Sequence, residues 1–198
     1  MFGLVVFGAL GIYLVLLIAV TRFSYRWAAK KGLPRGKRWA VAAGGFLLVY
    51  LPVFWDHIPT VVAHQYYCHK EAGFWVYKTL DQWKAENPGV METLIANKDA
   101  PSTRQGDMQN YIDTYFLNQR INKLVKKNGP FLFNRWRWEQ EVVDVKTNEV
   151  LARYVDFSTG NGFIGGPPRT LRFWLQSDHC TDGGASYGKF LLFKRQIS

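Results

Sequence analysis

The segment AHQYYCHKEAG, residues 63–73, holds His64, Cys68, His69 and Glu71 within eight positions, with His64 and Cys68 four apart. On a helix that spacing puts imidazole and thiol on one face, as a metal site or a catalytic cluster would require. His57, seven positions before His64, shares the face if the helix runs unbroken, and His179 with Cys180 could complete a Cys2His2 set. Two features oppose this. Pro59 interrupts the run between His57 and His64, and no close-set C-x-x-C pair exists among only two cysteines. The expectation is no bound metal, with His64, Cys68, His179 and Cys180 as the ligands to examine.

Other pairs carry acid–base possibilities. Asp56 precedes His57 and Asp178 precedes His179, each a carboxylate beside an imidazole, the pairing that orients a general base. Sequence neighbours on a strand point to opposite faces, so adjacency alone does not make a dyad. No serine sits in a G-x-S-x-G context, and Glu71 has no evident second carboxylate. No catalytic residue is assigned; Glu71, Asp178 and His179 are the candidates. The letters GNGFIG, residues 160–165, match a dinucleotide fingerprint, but Gly166, Pro167 and Pro168 follow where a helix would have to start. The stretch reads as a turn between strands, and no cofactor is expected.

What these residues can do depends on where they reside. Residues 1–21 carry no charge, and the apolar run 4–20 approaches the length needed to cross a hydrocarbon core of ~30 Å. Nothing basic precedes it, unlike a cleaved secretory signal. Residues 39–55 form a second uncharged run bounded by Trp39 and Trp55, with no polar face. Between the two lie Arg22, Arg26, Lys30, Lys31, Arg35, Lys37 and Arg38 with no acidic residue. From Asp56 onward, 18 basic residues meet all 15 acidic ones, so most of the formal charge of +10 sits in the segment 22–38. A folded domain netting only +3 lacks the basic face of a nucleic-acid-binding protein. The segment 22–38 reads as a loop between the two spans; the positive-inside rule assigns it to the cytoplasm, and the N-terminus and residues 56–198 to the other side.

That assignment redirects the cysteines. Outside the cytoplasm disulfides persist, so Cys68 bonded to Cys180 is the simplest account of the two thiols. The bond would close a loop of ~110 residues and stabilise the domain by a few kcal/mol.

The elements expected to carry these residues are mostly strands. The helix entering at residue 56 continues to Gly73; residues 74–79, FWVYKT, read as a strand; LDQWKAENPG reads as a short helix stopped by Asn87 and Pro88. A further turn is expected within residues 90–97, and KDAPSTRQGD reads as loop. Residues 108–127 fit a helical face or an extended segment, with extended favoured by their aromatics. Trp136, Trp138, Val143 and Val145, a polar turn at 146–148 and VLARYVDF form a β-hairpin. RTLRFWLQS (169–177) and YGKFLLFKRQ (187–196) read as two more strands. The expected protein has a two-helix membrane anchor over 1–55 and a strand-rich α+β or mainly antiparallel β domain over 56–198.

FWDHIP after a membrane span, CHKEAGFWVYKT, and VVDVKTNEVLARYVDF ahead of a later cysteine resemble a scattered group of small uncharacterised proteobacterial membrane proteins. Their pattern is W-D, then C-x-x-E-(A/G)-G-x-x-V-Y-(K/E)-T, then a D-x-x-T-x-E hairpin, matched in patches over residues 50–180. The resemblance implies structural roles for Cys68, Glu71, Gly73, Tyr77 and Cys180; in a Gram-negative cell the topology read from the charges makes the chain a multi-pass inner-membrane protein with a periplasmic domain. It implies no substrate, cofactor or reaction. The expected function is an accessory or partner-binding protein of the envelope, of the immunity, exclusion or complex-subunit type, whose partners are the bilayer and a protein. The alternatives are an anchored envelope hydrolase using Glu71 or Asp178 with His179, and a two-span effector with a cytoplasmic ligand-sensing β-domain.

Overall fold

The computed structural model describes residues 2–97, 99–160, 175–177, 179–180 and 183–197. Two compact units divide the chain, Met1–Ile58 and Pro59–Ser198.

In the first unit, α1 (Phe2–Lys30) and α2 (Arg35–Phe54) are both long and apolar enough to cross a membrane, by length and composition. Their turn is four residues, with Gly32 at φ 73° ending α1 as only glycine does without strain. They form an antiparallel hairpin. Tyr13 donates to the Val49 carbonyl at 3.0 Å, and Tyr25 meets Trp39 with ring centroids 5.2 Å apart. Ala28 and Ala42 are buried, and Gly45 lies against Ser24, so small residues bring the two backbones together. The basic segment read as a loop is mostly helical: Arg22, Arg26 and Lys30 lie on α1, and Arg35, Lys37 and Arg38 on α2. Long cationic side chains cost a helix little and can reach the interface on their apolar stems, so nothing ends α1 before Gly32.

After a short break α3 (His57–Lys70) follows, with Pro59 in its first turn, where a missing N–H leaves no helical bond unmade. The second unit is built on a six-stranded antiparallel sheet in the order β1-β6-β5-β4-β3-β2. Its strands are β1 (Gly73–Val76), β2 (Ser102–Gly106), β3 (Tyr111–Phe116), β4 (Ile121–Phe131), β5 (Arg135–Asp144) and β6 (Glu149–Thr159). The β5–β6 hairpin is the one read from the sequence, and residues 108–127 are extended as favoured.

One sheet face is covered by α4 (Leu80–Glu86), a 3-10 turn (Met91–Thr93) and α5 (Gly183–Ile197). Thr79 and Gln82 make a reciprocal capping box that starts α4. This aims Trp83 into a core with Leu117, Ile121, Val142, Leu151, Tyr154, Phe190 and Ile197. The indole N–H donates to Asp144 at 2.8 Å, and Arg120 pairs with the other carboxylate oxygen at 2.6 Å. Burial pushes the Asp144 carboxyl up, but the bonds from Arg120, Trp83 and the Lys146 amide outweigh it and hold the group below the usual carboxylate range.

Several expectations are corrected. YGKFLLFKRQ is not a strand; it lies in α5, because Tyr187, Phe190, Phe193 and Ile197 recur at helical spacing and those four residues meet the core. KDAPSTRQGD is not all loop, since residues 102–106 form the edge strand β2, exposed throughout and so lacking any apolar alternation to betray it. The strand expected over 74–79 ends at Val76, because Thr79 is taken as the α4 N-cap. Most of the strand expected over 169–177 lies outside the described residues; its end is present, with Ser177 bridged to Thr159. The stretch 161–165 of GNGFIG also lies outside them.

Candidate functional site

Four clusters of chemistry-bearing side chains lie on the sheet unit. The first contains the opening segment. Cys68 and Cys180 form a disulfide. On α3, one turn before Cys68, His64 puts Nε2 at 3.5 Å from the Cys68 sulfur and donates from it to the Phe157 carbonyl at 3.3 Å. The ligand atoms of His64, Cys68 and Cys180 lie within 4.8 Å of one another. With both thiols joined, that set lacks the thiolates a metal would need. Around it pack Val155, Phe157, Tyr67 and Ala72, an apolar seal over the sulfurs. His57, proposed on the same face, hydrogen-bonds Tyr50 across 2.9 Å and is not in that set.

The second cluster surrounds Asp156, a buried residue of β6. Its carboxylate accepts from the Tyr154 hydroxyl at 2.8 Å, the Cys180 amide at 3.0 Å and the Phe157 amide at 2.8 Å. His179 donates to it from Nδ1, also at 2.8 Å. Burial pushes this carboxyl up, and the bonds from His179, Tyr154 and Cys180 bring it below its ordinary value. His179 keeps 58% of its side chain exposed and meets the Trp138 ring at 5.8 Å. The sequence pointed to Asp178 as the partner of His179. Asp178 lies outside the described residues, and the carboxylate found against the imidazole comes from β6, 23 positions away in the chain. No local spacing announces such a pair.

The third cluster was not anticipated. Along the sheet face opposite α4 and α5, Glu139 and Glu141 of β5 lie two apart, both buried, and are held by cations from three strands. Arg153 of β6 reaches both, at 3.2 Å for Glu141 with a shorter bond to Glu139; Lys126 of β4 bonds Glu141; Arg137 pairs with Glu139 at 3.1 Å. Burial pushes the Glu139 carboxyl up, but the bonds from Arg153 and the nearby charges of Arg153 and Lys126 leave it below the usual range. A carboxylate held ionised this way, as Glu139 is, makes a poor general acid. Glu71 stands at the margin, half-exposed and 3.9 Å from Arg137. The ladder was legible only as alternating charges in RWRWEQE; cross-strand register, Glu139 opposite Lys126 and Val155, and Glu141 opposite Arg153, creates it.

On the helix-covered face, Lys127 lies buried beside Trp136 and Trp138, its ammonium 4.4 and 5.0 Å from their ring centres. Burial, with the Arg104 charge added, pushes its pKa down. These aromatics therefore pack a cation, as core residues do.

No family model, curated protein or solved structure matches the chain.

Proposed function

We propose that the chain is an accessory protein of the bacterial inner membrane, anchored by α1 and α2, whose sheet domain faces the periplasm and binds a protein partner. Topology rests on the seven cations clustered in 22–38 with no acid, and compartment on the disulfide. The observation that carries the binding role is the charged sheet face. Arg153, Arg137 and Lys126 remain a quarter to a third exposed above their buried carboxylates. Trp75 of β1 is 40% exposed beside Arg153, and Ile112 of β3 is 38% exposed opposite Lys126. Trp and Arg on a rigid surface, with side chains fixed by ion pairs, are the residues that dominate protein interfaces.

A photo-cross-linking residue at Ile112 in the full chain, activated in native membranes, tests this. A discrete adduct that disappears when Arg153→Glu is added is the expected outcome. No adduct from Ile112 or from a second position at Trp75 would overturn the binding role.

The Asp156–His179 pair favours a second reading, an anchored envelope hydrolase in which His179 is the base and Asp156 orients it. Under that reading His179→Ala abolishes hydrolysis of an envelope-type ester or amide substrate while leaving the unfolding midpoint unchanged. Equal hydrolysis by both proteins would remove it. The scattered motif shared with small proteobacterial membrane proteins fits either role and adds no substrate.

A further inference from the structure

We infer that the surface formed by Val62, Tyr66, Leu132, Phe133 and Arg135 is a phospholipid-binding patch that seats on the interface of the membrane anchoring the chain. This rests on the anchoring proposed above and is independent of which side the domain faces.

All five residues lie on the sheet unit, around an apolar groove between α3 and the β4–β5 loop that Pro59, Ala63 and Tyr67 complete. Leu132 is 77% exposed, Val62 59% and Tyr66 56%, with Phe131 44% exposed alongside. So much contiguous exposed apolar surface marks an interaction site in a soluble domain. In the loop presenting it, Phe133 and Asn134 both adopt left-handed φ values, 61° and 55°, a region that disfavours a phenylalanine. The backbone thus accepts strain where the apolar side chains are displayed.

The groove also contains a cation with a specific deficiency. The Arg135 guanidinium lies 3.3 Å from the Tyr67 ring centre, 5.3 Å from Phe131 and 5.6 Å from Phe157. It has no hydrogen bond or ion pair among the described residues, and its Nε is buried without a partner. A guanidinium held by aromatic faces with unused N–H donors matches a phosphate, and the apolar rim above it matches glycerol and upper acyl chains. A phospholipid supplies both groups in one molecule. Reach favours the bilayer as their source: Pro59 is five chain steps beyond Phe54, the end of α2, no more than about 18 Å of extended chain. Tyr66 and Tyr67 add the amphipathic rings that favour the headgroup level.

The disulfide occupies both native cysteines, so Leu132→Cys introduces a single labelling site. The full chain carrying an environment-sensitive fluorophore there is reconstituted in vesicles of phosphatidylethanolamine and phosphatidylglycerol, with and without lipids bearing a shallow nitroxide. Ile95→Cys, 73% exposed and located by the β3–β4 turn at the other end of the sheet, is the control. The expected result is blue-shifted emission at residue 132, quenched by the nitroxide and shielded from iodide, and the opposite at residue 95. Adding Arg135→Gln is expected to return part of the iodide access at 132. Should Leu132→Cys fail to form the Cys68–Cys180 bond, Val62→Cys reads the same contact. Iodide access at 132 and 62 equal to that at 95 overturns the inference. So does shielding without nitroxide quenching, which would mean that protein covers the patch. Alkaline extraction of the same vesicles separates the two claims: release of the chain would sink the anchoring, whereas a retained chain with an iodide-accessible patch would sink only the lipid site.

Discussion

Asp156 accepts four bonds, two from backbone amides and two from side chains, inside a sheet where water is scarce. Replacing it by alanine strands those donors, at about 1–3 kcal/mol for each left unsatisfied. Its folded pKa lies below the unfolded value of ~3.9, so its contribution is fully present above that value and is lost as pH falls through the lower, folded one. The urea midpoint of the native protein should therefore fall below about pH 4. Asp156→Asn, which cannot titrate, should flatten that part of the curve in urea titrations followed by tryptophan fluorescence. The cysteines are the other residue-scale control. Serine at both positions, or full reduction, should lower the unfolding free energy by roughly 4–5 kcal/mol for a loop of this length in the chain-entropy model, checked by denaturation with and without a dithiol. A much smaller loss would mean that the reduced, unfolded chain keeps residual structure of its own.

At the scale of elements, α5 is the least expected part of the fold and one of the most consequential. Phe190 is fully buried against Phe74, Tyr154 and Tyr187. Phe190→Ala should cost about 3–5 kcal/mol, while Ile95→Ser, on an exposed connection, should stay within about 0.5 kcal/mol; thermal unfolding of both variants compares them. The contrast between these elements explains what could be read in advance. The β5–β6 hairpin was legible because its turn residues, with Asn148 at φ 56°, and its flanking β-branched and aromatic residues agree. In α5, Phe190, Leu191, Leu192 and Phe193 run consecutively, and a short apolar run suits a strand as well as a helix. The strand β2 failed for the opposite reason: with every residue exposed, its pairing with β3 comes from backbone bonds and the Arg104–Asp113 ion pair, neither of which leaves a periodic trace. The His64–Cys68 face was readable from a four-residue spacing, whereas the Asp156–His179 and Glu139–Arg153 pairs depend on register between distant segments.

For the whole molecule, charge placement and topology are one question. Neutralising Arg35, Lys37 and Arg38 together with Lys30 and Lys31 removes most of the charge asymmetry on which the proposed topology rests. A phosphatase reporter fused to the C-terminus should be active on the native chain and lose activity on the neutralised one. A reporter active only in the cytoplasm should do the reverse. Fluorescence from that second reporter on the native chain would place the domain inside the cell and favour the ligand-sensing effector.

The Cys68–Cys180 bond encloses residues 69–179, most of the sheet unit, in one covalent ring. A protease that nicks any peptide bond in that ring produces two fragments that remain joined through sulfur, one of them carrying α1 and α2. Separating those fragments therefore takes two different chemistries acting together, cleavage and reduction, whereas a single cut between Phe54 and Cys68, outside the ring, would release the sheet unit whole from the proposed anchor.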